Sequence, residues 1–112
     1  MSLNSREFYN YIKQTELLYV SKNGKNIRIW YSITEKSTEN RILPFRLNGL
    51  KFGFQEKMDD GTCNTFKNYK ITYNSNKAGN QLYFFDNMRK KIDIRVKELI
   101  NLGELKLKNN IP

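Results

Sequence analysis

Short runs rich in aromatic and β-branched residues follow one another from about residue 16 to residue 85: ELLYV, NIRIWYSI, RILPFRL, LKFGF, NYKITYN and QLYFF. Each is too short for an ordinary helix, and these residue types suit a pleated, half-buried surface. Turn signals stand between them: KNGKN at 22–26, KSTEN at 36–40, LNGL at 47–50, DDGT at 59–62 and NSNKAGN at 74–80. Glycine, asparagine and aspartate readily adopt the conformations that reverse a chain, so the punctuation predicts an antiparallel meander of four to six strands. Asn23-Gly24 is the strongest hairpin signal and pairs 16–22 with 25–34. Pro44 has no amide proton to give to a ladder and belongs at an edge or a break.

Both ends of the chain read differently. In LNSREFYNYIKQ, Asn4 or Ser5 offers an N-cap and Phe8, Tyr11 and Ile12 fall at helical spacing, which predicts a short helix over about 5–14. In FFDNMRKKIDIRVKELINLGEL, Asp86 is the expected cap and Met88, Ile92, Val96, Leu99 and Ile100 form one apolar stripe. Gly103 supplies the left-handed stop, so a longer amphipathic helix is expected over about 87–102. No repeat, low-complexity block or Pro-rich linker divides the 112 residues, which suit a single domain spanning 1–112. The layout is α+β, with the C-terminal helix across one sheet face and the other face free. A several-stranded meander followed by an amphipathic helix resembles the element order of small single-strand-binding modules of the Pur type, and that likeness implies a layout rather than a function.

Period-two alternation assigns side chains to the two faces. Ile27, Ile29, Tyr31 and Ile33 go inward and Arg28, Trp30 and Ser32 outward. A slip of one residue would expose all four apolar groups, so the register is strongly fixed. Tyr69, Ile71 and Tyr73 go inward against Asn68, Lys70 and Thr72 outward; Leu50, Phe52 and Phe54 inward against Lys51 and Gly53; Leu43, Phe45 and Leu47 inward against Ile42, Pro44 and Arg46. The free face is therefore expected to present Arg28, Trp30, Arg46, Lys51 and Lys70, a cationic surface carrying the chain's single tryptophan, which the alternation leaves either open as a stacking platform or covered by the N-terminal helix or a second subunit. Lys90, Lys91 and Arg95, on the polar side of the C-terminal helix, would form a second basic strip. Lys90 and Lys91 sit in the first turns, where the helix dipole disfavours cations.

Composition narrows the chemistry. There is no histidine, which removes the commonest general base and metal ligand, and the lone Cys63 has no internal disulfide partner. Neither KNGKNI nor LNGLKFG is a Walker loop or a dinucleotide fingerprint. Glu56, Asp59 and Asp60 with Lys57 would be the carboxylates of a metal nuclease, but Asp-Asp-Gly in series reads better as a tight turn. Tyr69, Lys70 and Tyr73 with Arg28 are the groups that a metal-free ribonuclease of toxin type would use. The sequence points away from catalysis, and no catalytic residue, metal or cofactor is expected.

The net charge of +9 favours polyanions. Asparagine and lysine also have AT-rich codons, so part of the excess is what the genome of a phage or other mobile element would give. Cations beside a flat aromatic suit single-stranded DNA or RNA, since the cations follow phosphates and the ring stacks on bases. The expectation is a small, non-enzymatic nucleic-acid-binding protein, cytoplasmic, with no membrane partner, acting as a homodimer. The alternative is an interaction module or inhibitor whose basic face docks an acidic protein.

Overall fold

The computed structural model describes residues 3–37, 45–72 and 83–108, with only the backbone at 34–37 and 45–48. The elements are α1 (Ser5–Leu18), β1 (Tyr19–Ser21), β2 (Ile27–Ser37), β3 (Phe45–Lys57), β4 (Cys63–Thr72), α2 (Phe84–Asn101) and β5 (Leu105–Leu107). The fold is α+β: β2, β3 and β4 form an antiparallel meander in that order, while β1 and β5 form a separate antiparallel ribbon. None of the helices among the described residues is long and apolar enough to cross a membrane.

Helix α1 begins where the sequence places it. The Asn4 side chain accepts from Glu7 N and the Glu7 carboxylate accepts from Asn4 N, a reciprocal capping box. It runs four residues past the expected end, so Glu16, Leu17 and Leu18 of ELLYV are helical and only Tyr19–Ser21 are extended. Two buried residues draw it on: Ile12 and Thr15 both lie on the face that meets the sheet, and the Thr15 hydroxyl donates to Tyr11 O. The expected hairpin of 16–22 with 25–34 is therefore replaced. Asn23-Gly24 does turn the chain, with Gly24 at φ +75° and Ser21 N donating to Lys25 O, yet only the Val20–Asn26 bridge joins its two arms. Strand β1 instead pairs with β5, Tyr19 opposite Leu107.

LNGL is the other turn signal that the fold overrides. Residues 45–57 are one continuous strand, and the ladder to β2 shifts by one residue beside Asn48-Gly49, between Thr34 and Glu35. A bulge absorbs the Asn-Gly pair without reversing the chain. DDGT does turn: Gly61 has φ +89°, and Asp60 Oδ1 accepts from both Thr62 N and Thr62 Oγ1. Pro44, Leu43, Tyr73 and the NSNKAGN segment lie outside the described residues.

Helix α2 starts at Phe84, so Phe84 and Phe85 of QLYFF open a helix and not a strand. Asp86 is not its cap; it lies in the first turn, where Oδ1 accepts from Leu3 N. The buried stripe is Phe84, Met88, Ile92, Val96 and Leu99, whereas Ile100 is exposed, because Leu99 already takes the inward position of that turn. Gly103 at φ +76° ends the helix, with Glu104 N donating to Leu99 O and Gly103 N to Ile100 O.

Both helices pack on the same sheet face. Phe8 and Ile12 of α1 and the α2 stripe close over Ile27, Ile29, Leu50, Phe52 and Phe54, all buried. Full burial of each such side chain contributes roughly 1.5–3 kcal/mol. The Tyr11 hydroxyl donates to Asp93 Oδ1 at 2.5 Å and fixes α1 to α2. Burial and that carboxylate together hold the phenol well above its ordinary pKa. Helix α1 also closes part of the outer edge of β2, where Ile29 N donates to Glu16 Oε2 at 2.6 Å.

Candidate functional site

The face of the meander turned away from both helices is organised in cross-strand rows. The first is Arg28, Gln55 and Thr65; the second Trp30, Gly53 and Asn68; the third Ser32, Lys51 and Lys70. The first row is tied by side chains: Arg28 Nη1 donates to Gln55 Oε1 at 3.3 Å and Gln55 Nε2 to Thr65 Oγ1 at 2.9 Å.

In the second row the indole lies across Gly53. A β-carbon at position 53 would sit 2.3 Å from Trp30 Nε1 and 2.6 Å from Asn68 Oδ1. Glycine is thus required for space, not for its backbone angles. Trp30 is half-buried, seated on the glycine between Arg28 and Ser32 of its own strand.

In the third row two like charges face each other. Lys51 and Lys70 are direct cross-strand partners, both exposed, and neither has an ion-pair partner among the described residues. Like charges in this position destabilise a sheet. The packing of the fold offers no reason for the pair.

Four of the eight residues singled out from the sequence therefore share this face: Arg28, Trp30, Lys51 and Lys70. Arg46 belongs to β3 and pairs with Lys36, and its side chain is outside the described residues. The other three do not join them. Lys90, Lys91 and Arg95 are on α2, which packs against the opposite sheet face. Arg95 is engaged internally, its guanidinium 4.7 Å from the centre of the Tyr69 ring and its Nη1 2.9 Å from Glu98 Oε2. The strip expected on that helix is thus reduced to two exposed lysines.

Among the described residues the catalytic groups considered from sequence are not brought together, and Tyr73 lies outside them. Tyr69 packs inward, stacked on Phe52, while the next residue, Lys70, faces out, so the two do not converge as a ribonuclease would need. Burial raises the Tyr69 phenol and the Arg95 guanidinium lowers it. Of the three carboxylates, Asp60 is bonded within its own turn and Glu56 accepts from Ser21 Oγ at 2.5 Å and from Asn23 Nδ2 at 3.1 Å. Those bonds, the one from Ser21 first, hold the Glu56 carboxyl below its usual range. No group of three or more metal-ligating side chains occurs among the described residues.

Sequence reasoning missed the seat of the indole. The stretch LKFGF puts Gly53 on the outer face, but only the β2–β3 register shows that Trp30 stands opposite it. Asn68 was equally visible as an outward residue and invisible as a neighbour of the ring.

Fold and site together define a small α+β domain with one sheet face covered by two helices and the other open, basic and tryptophan-bearing. Comparison with family models, with curated proteins and with solved structures finds no match for the chain.

Proposed function

We propose that the open sheet face binds single-stranded DNA or RNA, in the cytoplasm and without catalysing a reaction. The observation that carries this reading is the Lys51–Lys70 couple, without an ion-pair partner among the described residues, one row from a tryptophan seated on glycine. A phosphate between the two ammonium groups would offset their repulsion, and a base stacked on the indole would add roughly 1–3 kcal/mol. Arg28, in the row on the other side, would take a further phosphate; among the described residues its side chain bonds only a neutral amide. An acidic protein would satisfy the cations and could also cover the half-buried ring, and it would lack the salt slope per phosphate that a strand gives.

The test is fluorescence anisotropy of a labelled single strand against the wild type and K51Q/K70Q over a range of salt. Each phosphate contact on a single strand contributes about 0.7 to the slope of log K against log salt. Losing the one phosphate held between the two lysines should lower it by about 0.7. An unchanged slope would refute the reading.

A further inference from the structure

Two clefts run along the seam between α1 and β2 and meet at Lys13. One, about 240 Å³, adjoins the open face and is lined by Tyr9, Arg28 and Trp30 among others. The next, about 290 Å³, continues past Glu16 and Asn26 to Lys57 and Lys108. We infer that this seam is a groove that carries a single strand of nucleic acid off the sheet face and round the edge of β2. Tyr9 offers a second stacking ring and Lys57 and Lys108 take phosphates. The inference rests on the sheet-face reading and extends it to a longer strand.

Charge in the groove is one-sided. Lys57 and Lys108 have no ion-pair partner among the described residues. Glu16 is the one carboxylate lining either cleft, and it is nearly buried and already committed. One of its oxygens accepts from Ile29 N, and the other lies 3.4 Å from Lys13 Nζ. Lys13 is in turn held 5.3 Å from the centre of the Tyr9 ring. The ring nearest the sheet face is therefore kept beside a fixed, largely neutralised cation, while the free cations lie farther along. That sequence, aromatic first and unpaired lysines after, is what a strand leaving Trp30 would meet. The other large cleft, at the opposite end of the ribbon, lacks this bias, since two carboxylates, Glu56 and Glu104, line it beside Lys22 and Lys67, and Lys22 is paired with Glu104.

The experiment compares the salt slopes of the wild type, K57Q/K108Q, K51Q/K70Q and K90Q/K91Q on a long strand of roughly 16 nucleotides and a short one of roughly 4. On the long strand K57Q/K108Q should lower the slope by about 1.4 and on the short strand leave it unchanged, whereas K51Q/K70Q lowers both. K57R/K108R, which keeps the charge, should retain the wild-type slope. If K57Q/K108Q behaves as wild type on the long strand while K51Q/K70Q does not, the groove is refuted and the sheet face stands. If no variant matters, or the wild type binds neither strand, both readings fall together. An equal loss in K90Q/K91Q would trace the effect to net charge, and a loss in K57R/K108R would trace it to shape; either overturns the groove.

Discussion

The two faces of the β2–β3–β4 meander obey different rules. On the covered face almost every side chain is explained by its neighbour: Phe52 stacks on Tyr69, Phe8 meets Tyr31 edge-on, and Ile92 and Met88 close over the strands without residual exposure. On the open face only one residue, Gly53, is fixed by packing. Trp30 rests on it half-buried, and the other described residues of this face are polar or charged, two of them exposed lysines placed where they repel. Packing accounts for the covered face and leaves the open face unexplained; the proposed nucleic-acid binding would separate stability and binding onto opposite sides of one thin sheet.

Substitutions should therefore divide cleanly. The largest effect belongs to the covered face: Phe52→Ala removes a fully buried ring and should cost about 3–5 kcal/mol in urea unfolding. A loss below about 1 kcal/mol would mean that the core is not where the packing puts it. A smaller effect is expected at the margin between core and solvent, where buried Ser21 donates to Glu56. Ser21→Ala should cost about 1–2 kcal/mol at neutral pH. Because the folded carboxyl is held below its unfolded value, its contribution is full above roughly pH 4.3 and is lost as the pH falls through the folded value. The deficit of Ser21→Ala should accordingly shrink in acid to what the hydroxyl's bonds from Asn23 N and Lys25 N contribute, and a deficit as large in acid as at neutral pH would contradict the assignment. The smallest effect has the opposite sign. Lys70→Glu replaces a cross-strand repulsion with an attraction and should raise stability by about 0.5 kcal/mol while weakening binding to any single strand. A variant that loses both stability and binding would show that the open face is structural after all.

The covered face was legible in the sequence, because burial enforces alternation. Period two alone turns Ile27, Ile29, Leu50, Phe52 and Phe54 inward, and all five are buried. The helix stop at Gly103 was legible for the same kind of reason, one glycine at a left-handed position. What local signals misjudged was settled by competition at longer range. Asn23-Gly24 makes its turn, but β1 gains a ladder from β5, some 85 residues away in sequence, and extends no hairpin. Asn48-Gly49 has the composition of a turn and sits in a bulge because β2 pairs with β3 on both sides of it. The alternation also identified the outward residues, Arg28, Trp30, Lys51 and Lys70, but not their rows. Register was needed to show that Trp30 lies on Gly53 and that two lysines oppose each other. The seam with α1 was beyond reach, since it depends on which sheet edge the helix covers.

The central claim is that the open face, and Trp30 on it, meets nucleic acid. With a single tryptophan in the chain, the emission of that ring reports on this face alone. Titrating the protein with mixed-sequence single-stranded DNA and RNA at three salt concentrations tests the claim directly. The account predicts quenching that saturates and weakens steeply as salt rises. Emission that stays unchanged through an excess of both strands at the lowest salt would contradict it.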